Sequence, residues 1–231
     1  MPNLKAAFEA DPDFRNICLA ADGKIYTLPG YSDFYIQGDG PNAMQFNTEW
    51  LEEAGLEMPK TLDEFTAMLY KFKELHPDGY ALGSGAKNGE KAGDRDPRNY
   101  ILNAFGYLWP DTMVNSTGAY PAVREGKAVI PAYDDTFVEF LKLMNQYYTD
   151  GLMSSDFFTI DQTTAFAQLA EDAVGTYAGL AYLALPEKED FTKWVDASPL
   201  TSQWNDTAKA GALNKFKYGH VSLKADVEES K

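Results

Sequence analysis

The stretch from Ala43 to Gly79 narrows the choice of fold more than any other part of this chain. Ala43-Met44-Gln45-Phe46 is a short strand run. Asn47 or Thr48 then caps a brief helix over Glu49 to Ala54, and Gly55 stands just past its end, where a left-handed residue closes a helix. After Pro59, Thr61 and Glu64 have the spacing of a capping box. Phe65, Met68, Leu69, Phe72 and Leu75 recur at helical period and define one apolar face. His76-Pro77-Asp78-Gly79 stops that helix. Strand, capped helix, glycine stop, proline and second capped helix in succession describe helices layered on a sheet. Such a block is a scaffold, and a scaffold reports fold, not chemistry.

The flanking sequence repeats the alternation. Residues 4–16 read as a helix fragment running into a loop. Asp22-Gly23 is a turn, and Lys24 to Pro29 alternates as a strand does. Residues 30–42 and 83–95 are rich in Gly and Asp without helical period and read as loops. A helix opens at Asp96 with Pro97 in its first position and runs to Gly106. Residues 119–133 suit a hairpin turning at Glu125-Gly126-Lys127. Thr136 and Glu139 suggest a second capping box, for a helix lined by Phe137, Phe140, Leu141, Met144 and Tyr148 and ended by Asp150-Gly151. A shorter helix over 162–171 leads to an apolar strand at 173–178 and an aromatic turn, Gly179 to Tyr182. The last ten residues are polar and read as frayed. The alternation allows α/β or α+β layering around one sheet, and the expected class is α/β, a mixed sheet flanked by helices.

Composition removes several functions. The 231 residues allow one or two domains. Thirty-five acidic against 20 basic residues leave a net charge of −15, which repels phosphate backbones and argues against nucleic acid. No window holds eighteen uninterrupted apolar residues. The single cysteine, Cys18, can make neither an internal disulfide nor a zinc site, and its apolar neighbours suit a buried thiol. His76 and His220 are too few and too dispersed for a histidine metal site. No nucleophile elbow, phosphate loop or dinucleotide fingerprint occurs, and Gly83-Ser84-Gly85 lacks the spacing such loops need. No catalytic residue, cofactor or metal ligand is therefore nominated. The N-terminus, Met1-Pro2-Asn3-Leu4, carries no export signal, so either the protein stays in the cell or the signal has been removed.

Three stretches, in order and spacing, resemble the extracellular solute-binding proteins of ABC sugar importers, in particular their Gram-positive lipoprotein branch. They are Asp22-Gly23-Lys24-Ile25-Tyr26-Thr27-Leu28-Pro29, the block from Phe46 through Trp50, Gly55 and Pro59 to Phe65, and Gly126 to Pro131 followed by Tyr148-Thr149-Asp150-Gly151-Leu152-Met153. The match covers about residues 20–182. The resemblance implies a type II periplasmic-binding-protein-like lobe that closes on a carbohydrate, acts as a monomer with ABC permease subunits, and is held outside the cell as a membrane-anchored lipoprotein. It further implies that this chain is one excised lobe: residues 1–20 a fragment or hinge segment, 21–200 the ligand-binding lobe, 201–231 a hinge or tail.

Sugar sites combine aromatic faces with planar polar groups that hydrogen-bond hydroxyls in fixed geometry. By the resemblance, Tyr31, Asp33 and Tyr35 lie in the loop that supplies an acidic ligand contact in maltose-binding proteins; a solvated surface loop is the rival reading. Asp96, Arg98 and Asn99 open a helix that in those proteins begins Glu-Pro-Tyr-Phe and touches sugar. This chain keeps the acid and the proline and replaces both aromatics, which departs from a maltodextrin ligand and leaves room for an acidic or substituted sugar. The rival is an N-cap and an exposed arginine. Tyr177 and Tyr182 flank the turn where the family places a stacking aromatic, with Leu180 at the tryptophan position; core packing is the rival. Trp109, Trp194 and Trp204 are weaker candidates, and Trp50 belongs to the scaffold. Some relatives bind calcium in an Asp/Asn-rich loop, but His76 to Ala81 keeps one such ligand and no calcium is expected there. A hydrolase using paired carboxylates and a surface interaction module are the alternatives from other classes.

Overall fold

The computed structural model describes residues 2–10, 12–16, 18–29, 44–83, 97–107, 122–124, 127–179, 181, 184–185, 191–206 and 220–222. Contacts divide the chain into two units, residues 1–37 with 214–231, and residues 38–213. One pairing marks the smaller of these units. No local pattern announces it: β1 (Thr27–Pro29) runs antiparallel to β7 (His220–Ser222), with Thr27 opposite Ser222.

In the smaller unit, α1 (Pro2–Ala10) and α2 (Pro12–Asn16) precede a tight turn. Gly23 adopts φ +77°, and the Ala20 and Lys24 backbones bond across it. Tyr26 donates its hydroxyl to Asp22 at 2.6 Å and fixes the turn. Phe8 meets Phe14 edge-on, and the Cys18 thiol is buried, donating to the Phe14 carbonyl at 3.2 Å.

The larger unit is built on a three-stranded antiparallel ladder in the order β5–β2–β6, from β2 (Met44–Asn47), β5 (Thr176–Ala178) and β6 (Trp194–Asp196). Residues 80–83 continue it beside β5: Tyr80 bridges Val174 in parallel, and the Gly83 amide donates to the Thr176 carbonyl. The sheet is therefore mixed, as expected. Met44 and Phe46 point to one face and join the main core. α3 (Thr48–Ala54), α4 (Leu62–Leu75), α5 (Pro97–Ala104) and α6 (Asp135–Thr149) supply the rest of that core, including Trp50, Phe65, Phe105 and Phe140. On the other face Tyr177 and Trp194 join a smaller cluster with Leu169 of α7 (Gln162–Ala170). Among the described residues no helix is long and apolar enough to cross a membrane.

The scaffold block folds as its sequence reads. Asn47 accepts the Glu49 amide at 3.0 Å, and Gly55 closes α3 at φ +65°. Thr61 and Glu64 satisfy each other's backbone amides in a full capping box. Gly175 shows why this strand must carry a glycine. A Cβ there would sit 2.5 Å from both the Phe72 and Trp50 rings, so the backbone itself packs on the aromatic core.

Three local expectations are corrected. The α6 cap is Asp134, which accepts the Thr136 amide at 3.0 Å, and not Thr136 with Glu139; Glu139 instead pairs with Lys142. An Asp two residues upstream of the predicted cap captured the same helix start. The buried face of α6 is Phe137, Phe140, Met144 and Tyr147, leaving Leu141 and Tyr148 exposed. Tyr147 and Tyr148 differ by 100° around the helix, and Tyr147 is the one that meets Thr66 of α4 through its hydroxyl. The hairpin strands, β3 (Ala122–Arg124) and β4 (Lys127–Val129), pair Arg124 with Lys127, so Lys127 belongs to a strand and not to the turn.

Asn47 is buried and makes two structural bonds with one side chain, one of them to a carboxylate. Removing a helix cap costs about 1 kcal/mol, and a buried hydrogen bond to a charged group about 1.5–3 kcal/mol. Asn47→Ala is expected to lower unfolding free energy by roughly 2–4 kcal/mol in urea titration. A loss below about 1 kcal/mol contradicts the assignment.

Glu64 and Asp161 cap helices, and their carboxyls are held below the ordinary range, first by backbone amides: those of Lys60 and Thr61 for Glu64, and that of Thr164 for Asp161. A depressed carboxylate contributes stability that is complete above its unfolded value, about pH 4, and is lost as pH falls through the folded value. The melting temperature is therefore expected to drop as pH falls below about 4. Glu64→Gln, which keeps an acceptor without the charge, should flatten that slope; an unchanged slope contradicts the assignment.

Candidate functional site

One end of the sheet gathers several chain segments. Met44 begins β2 there and its carbonyl accepts the Ala197 amide at 2.7 Å, just past β6. Ala178, opposite Met44, ends β5 at the same edge. Gly179 turns the chain away at φ +142°, a conformation that suits glycine. Gly83 leaves the neighbouring segment beside Thr176. The first turn of α5 is tied to this edge by the Tyr100 hydroxyl, which donates to the Ser198 carbonyl at 2.7 Å. Burial pushes the Tyr100 phenol far up, so it remains a neutral donor.

Gln45 braces the edge. Its Oε1 accepts the Ala181 amide at 2.8 Å and its Nε2 donates to Asp196 Oδ1 at 2.8 Å. One buried amide thereby holds the turn after β5 to the end of β6. Its pairing opposite both Tyr177 and Asp196 places all three on one sheet face.

The nominated residues fare differently. Arg98 sits in the first turn of α5, half-buried, with its guanidinium 5.1 Å from the centre of the Phe158 ring. Asn99 lies in the same turn, and its side chain is outside the described residues, as are Tyr31, Asp33, Tyr35, Asp96 and Tyr182. Tyr177 is 1% exposed and meets Trp194 edge-on in the smaller cluster. It packs against the Gly179 turn; a Cβ on Gly179 would sit 2.8 Å from the Tyr177 ring. Trp194 is buried, and Trp204 stacks on Phe105 at 4.4 Å. Trp109 and the calls on residues 30–42 lie outside the described residues.

Sequence reasoning missed Phe158. It is 49% exposed, next to buried Phe157 and near Tyr148. Two aromatics in succession, one in and one out, in the connection between two helices were the available signal. Gln45 was missed because its role depends on two strands far away in sequence.

A separate groove of about 460 Å³ lies between α4, α6 and residues 201–204, with Asp63, Gln146 and Trp204 in its lining. Of the residues singled out from sequence as site candidates, its lining includes Trp204, one of the weaker ones. Among the described residues no three His, Cys, Asp or Glu side chains converge as a metal site.

No protein-family model matches the chain. Its architecture matches solved solute-binding proteins. The Streptococcus pneumoniae ABC-transporter substrate-binding protein FusA, as an EF-hand mutant with fructo-nystose, gives a TM-score of 0.63 at 23% identity, covering 94% of this chain and 44% of that one. An extracellular solute-binding protein from Bifidobacterium longum subsp. infantis gives 0.68 at 21%, covering 87% and 41%. The fold is that of a periplasmic-binding-protein-like solute-binding protein. In sequence, the chain is related to the fructooligosaccharide ABC transporter substrate-binding protein FusA of Streptococcus pneumoniae, 29% identical over 189 residues, 77% of this chain and 33% of that protein. It is also related to lipoprotein LipO of Bacillus subtilis, 30% identical over 122 residues, 51% of this chain and 22% of that protein. The chain thus spans a third or less of the length of these two relatives.

Gln45→Leu unpairs a buried amide and a carboxylate at once. We expect a stability loss of about 1–3 kcal/mol and faster hydrogen exchange at the Ala181 amide. Unchanged exchange at Ala181 would show that the turn is held by something else.

Proposed function

We propose that this chain is a ligand-binding lobe of a carbohydrate receptor that delivers oligosaccharide to an ABC importer. The observation that carries this reading is the relatedness to FusA over 189 residues, 77% of this chain. In the proposed receptor Arg98 and Asn99 contribute polar contacts from the start of α5, with Asp96 beside them. Tyr31, Asp33, Tyr35 and Tyr182 complete the proposed set of contacts. The full protein works outside the cell as an anchored lipoprotein, as a monomer, with ABC permease subunits; the similarity to a lipoprotein of Bacillus subtilis supports the anchor. In this reading residues 1–20 are a fragment or hinge segment and residues 201–231 a hinge or tail beside the ligand-binding lobe.

Four of the described carboxylates have structural duties. Glu64 and Asp161 cap helices, Asp22 holds a turn, and Asp172 pairs with Lys193. Each has its pairing requirement met structurally, and the relatives are binding proteins.

A lone lobe offers half of a cleft and excludes water poorly. Calorimetry or NMR titration with kestose, laminaribiose and an alginate oligosaccharide is expected to give a dissociation constant on the order of millimolar for one of them, with no sugar released. Release of reducing sugar would replace the receptor with a hydrolase. Silence toward every sugar would favour an interaction module.

A further inference from the structure

We propose that Phe158, backed by Tyr148 and Arg98, is a ligand-stacking platform that sets sugar preference in the carbohydrate site. This rests on the receptor reading above and adds a surface that the sequence did not nominate. Phe158 lies in the connection between α6 and α7, following Phe157. Phe157 is buried and meets the Phe158 ring edge-on at 5.2 Å, anchoring that connection. Phe158 itself stays 49% exposed, although apolar neighbours stand within reach.

Its ring is nevertheless held from several sides. Tyr148 lies 6.0 Å away at 43° and is itself 41% exposed. The Tyr148 hydroxyl donates to the Ser155 carbonyl at 3.2 Å, which ties α6 to the same connection. The Arg98 guanidinium lies 5.1 Å from the Phe158 ring centre, a cation–π contact that reaches from the first turn of α5. Two adjacent aromatic rings are thus exposed but positioned before any ligand arrives.

That combination suits a sugar. The C–H bonds on one side of a hexose ring pack on the electron-rich face of an aromatic, and a ring with two side-chain torsions loses little freedom on binding. Held rings reduce that loss further. The platform also continues the edge described above: Arg98 and Tyr100 share a helical turn, and Tyr100 bonds Ser198 beside the end of β6. The contact needs no charge on the ligand, so the class is a neutral or weakly substituted oligosaccharide with a broad apolar ring face. The competing role is packing alone, in which the cluster only fastens the α6–α7 connection to α5.

The two roles separate in one experiment on the full chain. Kestose, laminaribiose and an alginate oligosaccharide are titrated by ligand-observed NMR into wild type, Phe158→Leu, Phe158→Ala and Phe158→Trp, with thermal melts of each. Phe158→Leu keeps apolar bulk and removes the ring, so it stays informative if the alanine variant does not fold. The expected result is about tenfold weaker binding for Phe158→Leu and Phe158→Ala, retained or shifted preference for Phe158→Trp, and little change in melting for Phe158→Leu. Wild-type affinity in Phe158→Leu removes the platform and leaves the receptor reading intact. A large loss of stability with unchanged affinity assigns the cluster to packing. No binding by wild type to any of the three overturns both readings together.

Discussion

Asn47 is the residue on which the larger unit turns. Its backbone belongs to the central strand β2 and donates to Gly175 beside it at 3.0 Å. Its side-chain oxygen starts α3, and its side-chain nitrogen reaches Asp172 at 2.8 Å. Asp172 sits at φ +55°, an uncommon backbone region for a residue with a side chain. Lys193 bonds the same carboxylate at 2.8 Å and Glu49 at 3.1 Å. Burial works against the lysine charge, yet the two carboxylates more than offset it and raise its pKa. One buried amide therefore fixes where the sheet ends, where the first helix begins and where the chain enters β5.

Gln45, two residues earlier, repeats this logic at the opposite end of the same strand. It reaches across both neighbours, to Asp196 on one side and to the Ala181 amide on the other. Alternate residues on a strand share a face. Gln45 and Asn47 thus line one side of β2, while Met44 and Phe46 enter the main core on the other. The polar side of the central strand sets the geometry of the connections, and the apolar side supplies most of the burial. The edge that carries the candidate site is shaped by the first of these.

What could be read from sequence follows from the range of each interaction. Caps are local, so Asn47, Gly55, Thr61 with Glu64, and the ending at Asp150-Gly151 were all legible. Where two local candidates competed, the nearer geometry won, and Asp134 displaced Thr136 at the start of α6. Tyr147 and Tyr148 are chemically alike, and only the position of Thr66 on a neighbouring helix decides which one turns inward. The β1–β7 pair and the two bonds of Gln45 join residues far apart in sequence, with no composition to mark them. For the site, the helix opening with Arg98 was legible. Tyr177 was nominated by the family resemblance, and a short apolar strand does not announce that its ring packs against Trp194. Phe158 was passed over because its exposure depends on how a connection folds back on α6.

The indole of Trp50 has a consequence of a different kind. His76 stacks on it at 3.6 Å, Phe72 meets it edge-on at 5.4 Å, and the backbones at Gly79 and Gly175 close against it. These contacts come from α3, the end of α4, the turn that follows it and the strand entering β5. None of these segments alone can seat the ring. Trp50 emission is therefore a coincidence signal, reaching its native value only when all four have assembled. An imidazole stacked on the indole is also placed to quench it. With Trp50 kept as its one tryptophan, the chain would thus carry its own optical reporter of completed tertiary structure in the larger unit.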